Sequence, residues 1–445
     1  MNILVAGLGQ SGIGAARLAL ETGHAVSGCD RAPEGSLPAA VEELKRSGLN
    51  VHGAGMSPSL LENRDLLILS PGVPRASELV QSALSRGVPV IGEIEWAARH
   101  ASGRIAAVTG SNGKSTTTML LGDLLKTAHA DTRVGGNLGV PFSDIVRDDT
   151  PETWYVLELS SFQLESLVDF HADAALLLNI TPDHQNRYAS FQDYAAAKGR
   201  IFVNQTPGDF AVFNADDALA GEYALASPAA HVPFSIHSEP EEGAFVKDRR
   251  GVLRRRGRET VLFEAGDWRL PGEHNLENAL AACVAGVCAG ADPESFGPVL
   301  REFKGLPHRM ERIGEVNGAA VYNDSKATNA DAVLKGLTAF QSGVILLLGG
   351  RDKGAEWADL SESVRRRCRT VVAFGEARDR VAAALGGVAE LISCATLKDA
   401  TARALDMAGP GDTVLLSPGA ASFDEFQNFE DRGDRFRDWV LGRAV

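Results

Sequence analysis

Short apolar runs recur along the chain and are separated by stretches in which apolar residues return at helical spacing. Such runs are typical of strands that are buried on both faces of a parallel sheet. Helices are predicted between them, the first over Ser11–Thr22. The predicted strands are Ile3–Ala6, Ala25–Cys29, Leu66–Leu69, Val88–Ile91, Arg104–Thr109, Tyr155–Leu159, Ala174–Ile180, Ala211–Phe213, Val344–Leu348, Thr370–Phe374, Glu390–Ser393 and Thr413–Leu416. This alternation predicts an α/β protein.

The strands fall into three groups, so we expect three domains, each built on a mainly parallel sheet. The first domain spans 1–101, the second 102–306 and the third 307–445. Within the second, the pattern over Ala244–Leu270 changes to short alternating segments, which predict antiparallel hairpins at the edge of the sheet. The arginines between these segments fit either a phosphate patch or solvated hairpin tips, and we favour the tips. The break at Gly305-Leu306-Pro307 is the expected hinge before the third domain.

Charge and cysteine content narrow the classes of function. The chain has 445 residues, with 44 Lys and Arg against 58 Asp and Glu and a net charge of −14. This acidic balance argues against a nucleic-acid partner, because a phosphate backbone requires a basic surface. The scattered cysteines have no metal-ligand spacing and indicate reduced thiols in a cytoplasmic protein. The strand-like start at Met1–Gly7 and the short apolar stretch Ala279–Ala291 predict neither a signal peptide nor a membrane span.

The segment Gly110–Thr116 has the composition of a phosphate-binding loop. It follows a predicted strand and opens a predicted helix, so its glycines let the backbone fold around an anion at the positive end of the helix. We expect Lys114 to meet the β- and γ-phosphates of a nucleotide and the Ser115 hydroxyl to ligate Mg²⁺. Val108 stands where the strict pattern has its first glycine, so this is a variant of that loop.

A second glycine-rich segment, Gly7–Gly12, follows the first strand, and Asp30 ends the second strand. This spacing matches the dinucleotide fingerprint, in which an acidic residue about twenty positions further on binds a ribose. On its own the match favours a nicotinamide-dependent oxidoreductase. With a separate ATP-type loop downstream, a second substrate that carries a nucleotide explains it equally well.

Glu158 lies between Leu157 and Leu159 on a predicted interior strand. An ionised carboxylate is costly there unless it is paired or coordinates a metal. Mg²⁺ beside the phosphate loop would supply the missing charge, and a nearby lysine is the structural alternative. His184 and Lys198 follow on later elements, and neither residue type in isolation indicates a ligand.

Polar loops of the third region follow predicted strands or open predicted helices; these loops are His308-Arg309, Asn323–Asn329, Gly349–Lys353 and Ser417–Phe423. In open parallel sheets, ligands gather at the carboxyl ends of the strands. For the Asn323–Asn329 loop alone, a surface ion pair between Asp324 and Lys326 is the alternative to a binding role. Several such loops at one sheet edge favour a binding face.

Together these motifs resemble those of the Mur ligase family. The motifs in common are Gly110–Thr116, Gly135-Gly136-Asn137, Leu157–Glu165, Asp183-His184, Lys198, His274-Asn275 with Asn278, His308-Arg309, Asn323–Asn329 and Leu416–Phe429. They occur in the family's order over almost the full chain, so the resemblance does not rest on a single motif. The chain departs from the family pattern at Ala32, two residues after Asp30, and at Asn186, two residues after His184.

The resemblance implies an N-terminal Rossmann-like domain that holds the UDP part of a substrate. It implies a central P-loop ATPase with added antiparallel strands and a C-terminal Rossmann-like domain that brings an amino acid. The implied reaction is ATP-dependent amide formation, in which D-glutamate is added to UDP-N-acetylmuramoyl-L-alanine through an acyl phosphate during peptidoglycan precursor synthesis. These two small molecules are the implied partners, and we expect a monomer that binds no nucleic acid and no membrane.

The resemblance also implies roles for individual residues. Those implied to bind ATP are Gly110, Ser111, Asn112, Gly113, Lys114, Ser115, Thr116, Asn275, Asn278, Arg309 and Asp324. Those implied to bind the UDP substrate are Gly9, Gln10, Ser11, Gly12, Asp30, Arg31, Ser70, Pro71, Gly72, Asn137 and His184. Those implied to bind D-glutamate are Lys326, Thr328, Lys353, Ser422 and Phe423.

Two Mg²⁺ sites are implied, one at Ser115 and Glu158 and the other at His184 and Lys198, with Lys198 carried as a carbamate. Lys114, His184 and Lys198 are the expected catalytic residues. We add that His184 is a candidate base for the attacking amine of glutamate.

Three alternatives stay open at this point. One is another Mur-type ligase, for L-glutamate or a different amino acid, or an enzyme like folylpolyglutamate synthase. The Asn-Pro-Arg signature of the lysine and diaminopimelate enzymes is absent from the third region. The second is a nicotinamide-dependent oxidoreductase that uses Gly7–Gly12, and the third is a nucleotide-gated binding protein without turnover.

Overall fold

The structure, a computed structural model, describes residues 1–183, 187–270, 272–352 and 355–443. The chain forms two compact units. One comprises Met1–Arg269 with Glu273–Phe303, and the other comprises Leu270–Gly272 with Lys304–Val445. The first unit contains two sheets and the second contains one.

The N-terminal sheet is parallel throughout, with its strands in the order β3-β2-β1-β4-β5. Its strands are β1 Asn2–Ala6, β2 Ala25–Cys29, β3 Asn50–His52, β4 Leu66–Leu69 and β5 Val90–Gly92. Its helices are α1 Gln10–Glu21, α2 Ala40–Arg46, α3 Glu78–Ser85 and α4 Glu93–Ala98. The strand order reverses between β1 and β4. Ligands of doubly wound sheets bind outside the strand ends at such a switch point, which here is flanked by the loops that follow these two strands.

The central sheet has the order β14-β13-β12-β11-β10-β9-β6-β8-β7. Its strands are β6 Arg104–Thr109, β7 Thr132–Gly136, β8 Trp154–Glu158, β9 Ala174–Leu177, β10 Phe210–Asn214, β11 Ala230–Ser235, β12 Gly243–Lys247, β13 Arg250–Arg255 and β14 Arg258–Phe263. Its helices are α5 Lys114–Leu125, α6 Phe142–Ile145, α7 Ser161–Leu164, α8 Phe191–Gly199, α9 Ala218–Leu225, α10 Glu273–Cys288 and α11 Phe296–Glu302. The central strands β8, β6 and β9 run parallel, so their carboxyl ends meet at one edge.

The predicted antiparallel addition to this sheet is present in β12, β13 and β14. Two of its arginines pair with glutamates just outside these strands, Arg250 with Glu264 at 2.7 Å and Arg254 with Glu239 at 3.3 Å. The Arg250 pair is exposed, as expected of a solvated hairpin tip, whereas the Arg254 side chain is partly buried.

The C-terminal sheet has the order β15-β16-β20-β17-β18-β19, and only the edge strand β15 is antiparallel among its described pairings. Its strands are β15 Glu311–Val316, β16 Ala319–Asn323, β17 Val344–Gly349, β18 Cys368–Phe374, β19 Glu390–Ser393 and β20 Thr413–Gly419. Its helices are α12 Ala330–Leu337, α13 Ser361–Arg367, α14 Arg378–Leu385, α15 Leu397–Met407 and α16 Phe429–Leu441. The neighbouring strands β16, β20 and β17 bring the loops that follow them to one sheet edge.

The prediction of an α/β chain with three mainly parallel sheets is confirmed. The strands β3, β7, β11, β15 and β16 were not predicted. In the first four, polar residues, glycine or proline interrupt the apolar run, whereas β16 carries the apolar run Ala319–Tyr322 and was missed. Strand β9 ends at Leu177, three residues before the predicted end at Ile180. Beyond Leu177 the Leu178 amide still donates to the Thr109 carbonyl at 3.0 Å, and the Ile180 amide donates instead to the Asp217 carboxylate at 2.8 Å.

No described helix combines the length and apolarity needed to cross a membrane. The cysteines are free thiols, and Cys29 and Cys283 are buried.

Candidate active site

The phosphate loop connects β6 to α5 and depends on two glycines with left-handed backbone angles. Gly110 has a φ of 159° and Gly113 a φ of 82°, and helix α5 begins directly after Gly113. A Cβ atom on Gly113 would clash with the side-chain oxygen of Asn278 on α10, so this helix packs closely against the loop. The loop therefore directs the positive end of α5 toward the carboxyl edge of the central sheet.

Asn179, just beyond β9, holds the loop from the side. Its side-chain oxygen accepts from the Asn112 amide at 2.8 Å, and its carbonyl accepts from the Ser111 amide at 2.9 Å. Within the loop, the Lys114 amine donates to the carbonyl oxygens of Gly110 and Ser111 at 2.9 and 3.0 Å. A positive charge thus lies inside a backbone cradle, which is the arrangement that binds polyphosphates.

Glu158 ends the neighbouring strand β8 and is 2% exposed. Its Oε1 accepts from the side-chain amide of Asn137 at 2.7 Å, whereas its Oε2 has no hydrogen-bond partner among the described residues. A buried neutral polar group without a hydrogen bond costs ~1–3 kcal/mol of folding free energy, and a charged oxygen costs more. A divalent cation held together with the buried Ser115 hydroxyl of α5 would remove this cost, so the donor set fits Mg²⁺.

Lys198 on α8 is 2% exposed and reaches the same loop. Its amine donates to the Gly110 carbonyl at 2.7 Å and lies 4.8 Å from the centroid of the Tyr194 ring. Burial lowers the pKa of Lys198 to about 6; the charge of Lys114 lowers it further, while Asp183 and Glu158 oppose the shift. At neutral pH the amine is therefore mostly uncharged.

His184 and Asn186 lie outside the described residues. No group of three or more histidine, cysteine or acidic side chains in the described part of the chain is placed to hold a metal. The implied metal ligands that are described are Ser115, Glu158 and Lys198.

The glycine-rich loop after β1 is fixed from β2. The carboxylate of Asp30 accepts from the amides of Leu8 and Ala32 at 2.7 and 2.9 Å. Asp30 therefore shapes the loop that ends at Gly9, the N-cap of α1, while Arg31 is exposed beside it.

Gln10 and Asn137, two residues expected at the UDP substrate, belong to loops that contact each other. The side-chain amide of Gln10 donates to the Gly139 carbonyl at 3.0 Å, two residues after Asn137. The glycine-rich loop after β1 thus contacts the loop after β7, whose Asn137 binds the Glu158 carboxylate. Ser11 and Gly12 follow Gln10 in the first turn of α1.

Ser70 and Pro71, after β4, line a cleft within the first unit together with Arg75, Glu93, Gln163 and Arg187. The Arg187 guanidinium donates to the Pro71 carbonyl at 3.1 Å and lies 3.9 Å from the centroid of the Phe162 ring. This arginine, only three residues after His184, thereby joins the central sheet to the Ser70-Pro71-Gly72 loop.

In the second unit, Asp324 follows β16 and is 5% exposed. Its carboxylate accepts from the Ser417 hydroxyl at 2.9 Å and from the Met310 amide at 3.2 Å. Burial raises the pKa of Asp324 to about 7, against the opposing effect of these hydrogen bonds and of the Arg309 charge.

The residues expected to bind D-glutamate lie on the loops after β16 and β20. The Lys326 amide donates to the His308 carbonyl at 3.0 Å, and its amine lies 5.4 Å from the centroid of the Phe429 ring. Thr328 is half-buried on the same loop, Ser422 is buried and Phe423 is 56% exposed. Lys353 lies outside the described residues.

Comparison with known families accounts for most of the chain. The sequence matches the Mur ligase MurD-like N-terminal domain over residues 1–92, the Mur ligase middle domain over 108–286 and the Mur ligase glutamate ligase domain over 308–419. It is 42% identical to the UDP-N-acetylmuramoylalanine--D-glutamate ligase of Koribacter versatilis (strain Ellin345), over 100% of this chain and 98% of the relative. This chain belongs to the Mur ligase family.

A second relative of the same name, from Myxococcus xanthus (strain DK1622), is 42% identical over 98% of this chain and 97% of its own length. Solved Mur ligase structures share the fold. UDP-N-acetylmuramate-alanine ligase MurC from Thermotoga maritima has a TM-score of 0.60 at 20% identity and covers 99% of both chains. A pseudomurein peptide ligase type C from Methanothermus fervidus has a TM-score of 0.58 at 17% identity, again covering 99% of both chains. At sequence identities of 20% and 17%, these two structures show only that the fold is shared.

In this Mur ligase, most of the first-unit residues expected to bind ATP belong to the phosphate loop itself. The other two, Asn275 and Asn278, lie on helix α10, which packs against the loop. Arg309 and Asp324 belong to the second unit. Asn179 had no predicted role, although a polar residue just beyond a buried strand, next to a phosphate loop, is a usable signal. The buried Arg432 of α16 was not predicted either, because an arginine in an amphipathic helix has the pattern of a solvated residue.

Proposed function

We propose that this Mur ligase adds D-glutamate to UDP-N-acetylmuramoyl-L-alanine and converts ATP to ADP and phosphate, in the cytoplasmic synthesis of peptidoglycan precursors. The relatives that cover the full chain carry the name of this reaction. The single observation that carries the chemistry is the cluster at the phosphate loop, where Lys114 and Lys198 both reach the Gly110 carbonyl beside the unsatisfied carboxylate of Glu158.

The first step makes the alanine carboxylate electrophilic. One carboxylate oxygen attacks the γ-phosphorus of ATP, and ADP leaves with the electrons of the broken P–O bond. Catalysis of this transfer is mostly positioning and charge stabilisation. The backbone of Gly110–Thr116 orients the triphosphate, and Lys114 stabilises the charge that develops on the transferred group.

The cation-binding residues complete this site. We assign one Mg²⁺ to Ser115 and Glu158 and a second to His184 and Lys198. Bound Mg²⁺ neutralises phosphate charge and orients the oxygens for transfer. Asn137 orients the Glu158 carboxylate by donating to its Oε1, which leaves Oε2, without a partner among the described residues, as the oxygen that would hold a cation.

Lys198 suits a metal ligand only after modification. Its neutral amine can attack carbon dioxide to form a carbamate, with release of one proton. The product is an anionic oxygen donor of the type that Mg²⁺ prefers. A pKa of about 6 keeps enough neutral amine for this reaction at physiological pH.

The second step forms the amide. The neutral amine of D-glutamate attacks the acyl carbon, a proton is taken up by His184 or solvent, and phosphate leaves the tetrahedral intermediate. We assign glutamate binding to the second unit, where Lys326 and Lys353 pair with its carboxylates and Thr328, Ser422 and Phe423 surround it. Arg309 and Asp324 of this unit, and Asn275 and Asn278 of the first, are assigned to the nucleotide.

The UDP substrate is assigned to the N-terminal sheet. Gly9–Gly12 form the start of α1 directly after the switch-point strand β1, and the free amides of such a helix start suit a diphosphate. Asp30, Arg31 and the Ser70-Pro71-Gly72 loop flank it, and Asn137 approaches from the central sheet. We assign these roles to domains spanning 1–101, 102–306 and 307–445, in a monomer.

A coupled assay of ADP release tests this function. Purified protein should release ADP only when UDP-N-acetylmuramoyl-L-alanine, D-glutamate and Mg·ATP are all present. L-Glutamate should replace D-glutamate poorly. Equal rates with both enantiomers, or with another amino acid, would assign the chain to a different Mur-type activity, and turnover of a nicotinamide cofactor would contradict the proposal.

A further inference from the structure

Arg432, in the second turn of α16, is an unusual feature of the second unit because its side chain is completely buried. Each nitrogen of its guanidinium has a partner. Nε donates to the Ser325 hydroxyl at 2.9 Å, Nη2 to the Ser325 carbonyl at 2.8 Å and Nη1 to the Ala420 carbonyl at 3.0 Å. Arg432 therefore connects the loop after β16 to the loop after β20.

A third loop lies against the same guanidinium. A Cβ atom on Gly350, just after β17, would lie 2.4 Å from the Ala421 carbonyl oxygen and 3.1 Å from Nη1 of Arg432, and the φ of Gly350 is 122°. The position therefore requires glycine, and its backbone lies against the guanidinium. The Ser325 hydroxyl extends the network by donating to the Phe429 carbonyl in the first turn of α16 at 2.8 Å. One side chain thus supports the loops that follow the three adjacent strands β16, β20 and β17.

The charge of Arg432 is not neutralised by a partner. The salt bridges of the described residues do not include it, and the acids that influence it, Asp424 and Glu425, act only at longer range. Burying an ion without a counterion is costly, and the three hydrogen bonds of the guanidinium offset part of that cost. An apolar side chain of similar size could fill the space but could not bind these loop groups or supply a charge.

Two of the three loops that Arg432 supports belong to the proposed amino-acid site. Those after β16 and β20 carry Lys326, Thr328 and Ser422, which the proposed function assigns to D-glutamate. The N-terminus of α16 adds a positive dipole on the same side. A cation held under these loops by carbonyl and hydroxyl groups places a fixed positive potential beneath a site for a dicarboxylate.

We propose that Arg432 is a positioning and specificity residue, which holds the amino-acid loops together and favours an amino acid with a carboxylate side chain over its neutral amide. This inference rests on the proposed function. It predicts that the preference for D-glutamate over D-glutamine depends on the charge of Arg432.

The test measures kcat/KM for D-glutamate and for D-glutamine, and KM for ATP, in full-length variants. Arg432→Met and Arg432→Gln remove the charge, Arg432→Lys retains it, and Arg435→Met removes an exposed charge from the same helix. The ratio of the two kcat/KM values should fall about tenfold or more in the neutral variants, because a charge interaction in a desolvated site is lost. It should change little in Arg432→Lys and Arg435→Met, and KM for ATP should stay within about twofold.

The two hypotheses fail in different ways. If the wild-type protein does not release ADP with D-glutamate, the proposed function is wrong. If the wild-type is active and the neutral variants lose activity toward both amino acids equally, Arg432 is only structural and the inference is overturned. The same conclusion holds if neither neutral variant gives a folded protein by thermal melting.

Discussion

The side-chain amines of Lys114 and Lys198 donate to the same carbonyl oxygen, that of Gly110, at 2.9 and 2.7 Å. Lys114 comes from the start of α5 and Lys198 from α8, so two amines from different helices converge on one point of the phosphate loop. The burial of Lys198 and then the charge of Lys114 lower the pKa of Lys198 and favour its neutral amine. This relationship supports the separate roles proposed for the two lysines, Lys114 as the charge that meets phosphate and Lys198 as the amine that is modified.

The first prediction concerns this modification. In ¹³C-labelled bicarbonate, the wild-type protein should show a lysine carbamate signal by NMR, and Lys198→Arg should not. The signal should weaken as the pH falls through about 6, because the amine then becomes protonated. Lys126→Arg, at an exposed site after α5, is the matched control and should retain the signal. A wild-type protein without the signal but with full activity would remove the carbamate from the mechanism.

The second prediction concerns Glu158. Glu158→Gln should lower kcat by about a hundredfold or more, because the amide cannot supply the charge that a divalent cation needs. Thermal melting without ligands should show no loss of stability, since the substitution removes a buried charge with an unsatisfied oxygen. Mg·ATP should no longer raise the melting temperature. The exposed Glu152→Gln is the control, and an active Glu158→Gln enzyme would exclude Glu158 from the metal site.

The third prediction concerns Lys353, which is assigned to glutamate by the family resemblance. Lys353→Ala should raise KM for D-glutamate about tenfold or more and change KM for ATP little, because one charge-assisted hydrogen bond to a carboxylate is lost. Lys398→Ala, on the exposed face of α15, should leave both constants unchanged. An equal rise in both KM values would remove Lys353 from the amino-acid site.

The fourth prediction concerns Glu93, which joins the N-terminal sheet to the central one. Its Oε1 accepts from the amide and the hydroxyl of Ser143 at 2.7 and 2.8 Å, and its Oε2 has no described partner. Burial raises the pKa of Glu93 from 4.5 to about 7, with a further contribution from Asp144. The folded state therefore binds this proton more tightly than the unfolded chain, and stability falls as the pH rises from about 4.5 to about 7.

Glu93→Gln removes this titration while retaining an acceptor for Ser143. Relative to the wild-type, the variant should gain about 3 kcal/mol of stability between pH 4 and pH 8, most of it between about pH 5 and pH 7, from the size of the pKa shift. Urea unfolding at the two pH values measures the difference. A stability difference that does not depend on pH would show that Glu93 titrates normally.

Much of the fold could be predicted because its interior strands are continuous apolar runs. Leu66–Leu69 and Ala25–Cys29 coincide with β4 and β2. Edge strands such as β7 could not be predicted. The sequence Thr132–Gly136 contains only one large apolar residue, and the strand depends on its pairing with β8. The β15–β16 hairpin is likewise stabilised by cross-strand pairing that no local pattern reports.

The candidate site was less predictable, because its side chains act through contacts that are distant in sequence. Glu158 could be recognised as a charge in an apolar strand, but its partner Asn137 lies 21 residues earlier. Asp30 matched a ribose-binding position, yet its carboxylate binds backbone amides of Leu8 and Ala32. Arg432 lies 107 residues from Ser325 and could be recognised only from the folded structure.

In the proposed mechanism the alanine carboxylate is activated by phosphorylation at the Gly110–Thr116 loop. The most direct measurement starts with UDP-N-acetylmuramoyl-L-alanine labelled with ¹⁸O in both carboxylate oxygens and analyses the released phosphate by mass spectrometry. Attack of one carboxylate oxygen on ATP, followed by its departure with phosphate, predicts one ¹⁸O atom in each phosphate released. Phosphate without ¹⁸O in an active reaction would contradict the acyl phosphate and the account built on it.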